Sequence, residues 1–176
     1  MILTKYFLDK KIKALSQSAS IRPHCYRSLN DIGYVLVMCE AKHWKFVYPC
    51  IQTLNVMGKS VHVCVYTRKS DEAPIWDYAY LLVEAEKDIN LWGFPDKNIQ
   101  NQLNGLSVDM LLDLTSDETP AMRYLMLQQP ASFKVGAKRS SEEDLYDLSI
   151  VMQEGIHDIP FLFGQILNYL QAIRSK

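Results

Sequence analysis

Two continuous apolar runs organise the chain, Gly33–Cys39 (GYVLVMC) and Val61–Tyr66 (VHVCVY). Short runs without polar alternation are expected of strands covered on both faces. Between them, Trp44, Val47, Ile51 and Leu54 recur at helical spacing, and Gly58 stands where a helix C′ residue belongs. Pro49 falls inside this segment, so the helix is kinked there or begins there. Strand, helix of roughly 15 residues and strand together make a βαβ unit, which implies parallel strands and a right-handed crossover.

The same alternation continues more faintly. Tyr78–Val83 reads as a third strand, a helix is expected from about Asp96 to Leu106, and Asp109–Leu114 reads as a fourth strand. Thr119 and Pro120 open the next helix, Thr as N-cap and Pro at the first helical position. That helix ends before Pro130, with short strands following at Ser132–Gly136 and Leu148–Met152. Ile159, Leu162, Phe163, Ile166, Leu167, Leu170 and Ile173 form a stripe at helical spacing, predicting a last helix from Pro160 to about Arg174. The fold class is α/β: a single Rossmann-like, doubly wound, mainly parallel sheet.

The N-terminal segment differs in character. Its apolar residues Ile2, Leu3, Tyr6, Phe7, Leu8, Ile12 and Leu15 suggest a helix but spread around it, and Lys10 and Lys11 interrupt any single apolar face. Residues 1–27 hold six basic side chains against Asp9 alone, a net of +5, whereas residues 28–176 carry a net of −6. We therefore divide the chain into a basic helical arm, 1–27, and an α/β domain, 28–176. The arm is expected to meet an acidic surface, its own domain first. If it does not fold back, a homodimer formed through the arm is the alternative way to bury its apolar residues.

Composition narrows the function classes. A formal charge of −1 lacks the basic excess that a general nucleic-acid binder needs. No apolar stretch approaches the ~20 residues of a membrane span, and the arm shows no clean membrane-binding face. Four cysteines in 176 residues are too sparse for a disulfide framework, which points to a reducing cytoplasm. The seven glycines never fall in the spacings that cradle a pyrophosphate or a nucleotide triphosphate, and no zinc or nucleophile-elbow motif occurs. No cofactor and no metal are expected.

Position in the fold is then the remaining guide. If the strand order is 3-2-1-4-5-6, the ligand crevice of such a sheet lies at the C-terminal ends of the first and fourth strands. Its walls would be Cys39, Glu40 and His43 on one side, and Thr115, Ser116, Asp117 and Thr119 on the other. Cys39 could be a thiolate activated by His43, or a core residue at a strand end. Thr115, Ser116 and Thr119 could hold an anion ahead of a helix, or could simply cap and turn the chain, as Asp117 and Glu118 suggest. His62 with Cys64, or His24 with Cys25, supply too few ligands for a metal site. Asp109 and Asp113 share a strand face, and Glu142-Glu143-Asp144 reads as a solvated charge run.

Three blocks, Glu86–Gly93 (EKDINLWG), Asp109–Ser116 (DMLLDLTS) and Phe133–Gly136 (FKVG), follow an N-terminal Leu3–Leu8 (LTKYFL). In this order they resemble a small bacterial family of uncharacterised single-domain proteins. The succession from Asp109 to Gly136 is also similar to the N-terminal lobe of heptosyltransferase-like glycosyltransferases, which implies a Rossmann-like fold; those enzymes bind nucleotide sugar mainly in a second lobe. Since the chain carries none of these catalytic signatures, the first expectation is a non-catalytic or partner-binding cytoplasmic domain. The alternative is a small-molecule enzyme, or a degenerate glycosyltransferase-like lobe, taking a nucleotide or sugar in the crevice.

Overall fold

The computed structural model describes residues 2–19, 25–71, 78–116, 119–138, 145–153 and 158–173, with side chains of the first helix from residue 7 to 17. Six strands form one parallel sheet: β1 (Tyr34–Glu40), β2 (Ser60–Thr67), β3 (Leu81–Glu84), β4 (Met110–Asp113), β5 (Phe133–Lys138) and β6 (Leu148–Val151). Their order is β3-β2-β1-β4-β5-β6, so strand order reverses between β1 and β4. The α/β, Rossmann-like reading of the sequence holds. β1 is buried at six of its seven positions, as expected of a central strand with helices on both faces.

The helices are α1 (Ile2–Ala19), α2 (Trp44–Val56), α3 (Lys97–Asn104), α4 (Pro120–Gln128) and α5 (Ile159–Ala172). Helix α2 runs through Pro49 and ends in a Schellman motif: Gly58 N–H donates to Asn55 O and Lys59 N–H to Leu54 O. Asp158 caps α5 by accepting from Phe161 N–H, with Pro160 in the first turn. One face of the sheet is covered by α2 and α5, whose Val47, Ile51, Leu54, Leu162 and Ile166 pack on Val35, Val37, Leu112 and Val135. The other face is covered by α1, α3 and α4, whose Leu8, Ile12, Leu103, Met122 and Leu125 pack on Leu36, Met38 and Leu111.

One expectation changes in detail. The third strand begins at Leu81 rather than Tyr78, because pairing with β2 starts at Cys64↔Leu81 and the Tyr78 hydroxyl instead donates to Val61 O. The basic arm folds back on its own chain: α1 lies against α4, and Leu8 and Ile12 are buried in the core. At about 1.5–3 kcal/mol for each large apolar side chain removed from water, those two residues contribute substantially to this docking. The described side chains of α1 resolve into two stripes. Leu8, Ile12, Leu15 and Ser16 face the core, while Phe7, Lys10, Lys11 and Ala14 face away.

Candidate functional site

At the reversal point, β1 ends in Glu40 and passes through a 3₁₀ turn, Ala41–His43, while β4 ends in Asp113 and continues to Thr115 and Ser116. Parallel pairing of Met38 with Asp113 sets these ends side by side. Alternation along the strands turns Glu40 and Asp113 toward the α1/α4 face and Cys39 and Leu114 toward the α2/α5 face.

The two carboxylates are almost fully buried, at 2% and 1% exposure, and backbone groups meet both. Both oxygens of Glu40 accept the Ser116 N–H, at 3.1 and 2.9 Å. Oδ1 of Asp113 accepts the Thr115 N–H at 2.8 Å and the Thr115 hydroxyl at 2.6 Å, and its Oδ2 accepts the Tyr146 hydroxyl. His43 Nε2 and Ser116 Oγ share a hydrogen bond of 2.9 Å whose direction depends on the imidazole tautomer. Thr119, at the start of α4, has a buried hydroxyl with no hydrogen-bond partner among the described residues.

The crevice residues read from the sequence therefore divide. Glu40, His43 and Ser116 come together, with Thr115 beside them, whereas Cys39 is fully buried in the core on the other face and His43 pairs with Ser116. Burial pushes the Cys39 thiol well up, and the neighbouring Cys64, Glu40 and Asp113 push it further, which is the reverse of what a nucleophile needs. Asp117 and Glu118 lie outside the described residues, as do His24 and Glu142-Glu143-Asp144. Asp109 and Asp113 do not converge: four residues at ~3.3 Å per residue separate them along the strand direction. Asp109 works at the opposite end of the sheet, accepting the N–H groups of Gly33 and Tyr34 and pairing with Arg27.

Sequence reasoning missed the polar network behind this edge. A Cβ on Gly136 would stand 2.7 Å from Cε1 of Tyr146 and 3.2 Å from Cβ of Asp113, so only glycine lets the phenol cross β5 to reach the carboxylate. Lys134, 2% exposed, donates from Nζ to Met126 O at 2.7 Å, at the negative end of the α4 dipole. Its N–H donates to Asp147 Oδ2. A charged residue within an otherwise apolar strand, as in Asp113 and Lys134, was the available signal.

A second feature lies beside α1. An apolar groove of about 550 Å³ is lined by Phe7, Lys10, Lys11, Ala14, Trp92 and Phe94. Phe7 and Trp92 meet edge to face, with ring centres 5.9 Å apart, yet each remains about half exposed.

Chemically, the Ser116–His43 pair has the reach of a nucleophile and its base. However, the Ser116 N–H, a donor that could stabilise an oxyanion, is already bonded to a buried carboxylate. No group of three or more potential metal ligands occurs among the described residues, and none of the described helices is long and apolar enough to cross a membrane.

A family model described as "Family of unknown function (DUF6913)" matches residues 2–173, and the chain belongs to that family. No curated protein and no solved structure matches it.

Proposed function

We propose that this protein is a non-catalytic, partner-binding domain that uses a Rossmann-like fold as a rigid scaffold in a bacterial cytoplasm. The observation that carries this reading is the pairing of the Ser116 N–H with Glu40 and of the Thr115 N–H with Asp113. In nucleotide-binding sheets of this topology, backbone N–H groups after the strands bind phosphate. Here two of them face the chain's own carboxylates, and any incoming phosphate would meet negative charge. A thermal-shift screen against nucleotides, nucleotide sugars and divalent metals tests the reading: a flat screen is the expected result. Saturable stabilisation by one ligand class, lost when Thr115 and Ser116 are changed together to alanine, would reverse it.

The His43–Ser116 contact favours a second reading. In that reading the domain is a small-molecule enzyme, or a degenerate lobe related to the heptosyltransferase-like enzymes, and Ser116 reacts with His43 as its base. Its test is a fluorophosphonate probe that labels hydroxyl nucleophiles. Labelling of Ser116 that is abolished by His43→Ala would support the enzyme; unlabelled protein would count against it.

A further inference from the structure

We infer that the groove between α1 and the Asn90–Phe94 turn is a docking site for an acidic, amphipathic helix of a partner protein. This inference rests on the partner-binding reading and locates the surface that serves it.

The groove is built rather than incidental. Asn90 Oδ1 accepts the N–H groups of Trp92 and Phe94, Asn90 N–H donates to Phe94 O, and Ile89 bridges to Pro95, so the turn holds its own shape. Gly93 sits at φ +83°, and a Cβ there would come within 2.9 Å of Leu8 Cδ2; the turn is pressed onto α1 at a point where only glycine fits. Phe94 is anchored edge to face on Tyr124 of α4. This rigid frame nevertheless leaves Leu91 93% and Trp92 51% exposed. The apolar surface that these side chains leave in water gains nothing from folding, and a contiguous group of such side chains marks a contact surface.

Charge selects the occupant. The α1 stripe runs Phe7, Lys10, Lys11, Ala14, the i, i+3, i+4, i+7 spacing of one helix face, and both lysines are exposed without an ion pair among the described residues. Among the described residues, no acidic side chain lines the groove. A helix lying along α1 would place apolar residues of matching spacing against Phe7, Trp92 and Phe94 and carboxylates against the lysines. A two-fold pairing of the groove with itself would bring four lysines into one desolvated seam, which opposes a second copy as occupant. A flat anionic bilayer would also meet residues 84–96, which hold Glu84, Glu86, Asp88 and Asp96 against Lys87 alone.

The experiment is a display selection of randomised helical peptides on the full chain, followed by fluorescence polarisation with the selected peptides. Phosphatidylserine vesicles and light scattering serve as parallel measurements. Selected peptides are expected to combine Asp or Glu with apolar residues at helical spacing and to bind more weakly as salt rises. Trp92→Ala should weaken them about tenfold or more, and Lys10→Glu with Lys11→Glu should do the same. All three side chains are exposed, and an unchanged far-UV circular dichroism spectrum with a cooperative urea transition would show that the variants fold. Peptides that bind but ignore both variants would overturn the groove while sparing the partner reading. No binder, with a nucleotide or sugar raising Tm, would overturn both, and no binder with a flat ligand screen would overturn the groove. Trp92-dependent vesicle binding without peptide binding, or a Trp92-dependent dimer, would replace the helix with a membrane or a second copy.

Discussion

Gly136→Ala is the most direct probe of the polar edge of the sheet. In a strand, alanine for glycine should stabilise by roughly 0.5–1 kcal/mol through the unfolded chain. Here the new methyl would stand 2.7 Å from the Tyr146 ring, with Asp113 Cβ on its other side at 3.2 Å. If the ring stays, the strand is overpacked, at about 1–3 kcal/mol. If the ring swings away, the phenol leaves Asp113, and a hydrogen bond to a charged group is lost at about 1.5–3 kcal/mol. Either opposing effect exceeds the entropic gain. The expected net destabilisation is therefore about 1–2 kcal/mol, which for a chain of this size lowers Tm by about 2–8 °C. Equilibrium urea unfolding of wild type, Gly136→Ala, Tyr146→Phe and the double variant reads the result as a cycle. In the Tyr146→Phe background the ring has no bond to lose, so the alanine should be milder there, with a coupling of about 1 kcal/mol. A stabilising Gly136→Ala, or strictly additive losses, would refute the account.

Further outcomes follow from other contacts. Burial raises the Asp109 pKa, but the N–H groups of Tyr34 and Gly33 and the charges of Arg27 and Lys59 outweigh it, holding the group below its ordinary 3.8. Its stabilisation is thus complete above pH 3.8 and lost as pH falls through the lower folded value. Asp109→Asn should be destabilising at pH 7 and nearly neutral at strongly acidic pH in urea titrations, and a pH-independent difference would contradict this. Burial pushes the thiols of Cys50 and Cys64 up to about 11 and about 12, and Cys39 well above its usual value. Native protein should therefore react rapidly with a thiol reagent at exposed Cys25 alone, the others following only on unfolding; fast labelling of Cys39 would sink the structural reading. Lys134→Met should be destabilising by about 1–3 kcal/mol, because the Met126 and Leu127 carbonyls lose their buried donor. An unchanged urea midpoint would show that the ammonium contributes nothing.

Much of this fold is legible in one dimension because periodicity reports burial. Strands covered on both faces read as unbroken apolar runs, and the α5 stripe and the Gly58 stop are local signals that need no partner to interpret. Even the site's address follows once the strand order 3-2-1-4-5-6 is assumed, and the sheet has that order. What the residues at that address do is a different matter. Whether His43 pairs with Cys39 or Ser116 depends on which face of β1 each side chain takes and on the turn after it. Whether the Ser116 N–H after β4 is open to a ligand depends on a carboxylate 76 residues away along the chain. The Phe7–Trp92 groove joins segments 85 residues apart, and no periodicity encodes it. Local pattern is set by each segment's own need to bury apolar surface and satisfy its backbone. Long-range polar pairing and exposed grooves exist only once several such segments have docked, so tertiary structure alone decided them.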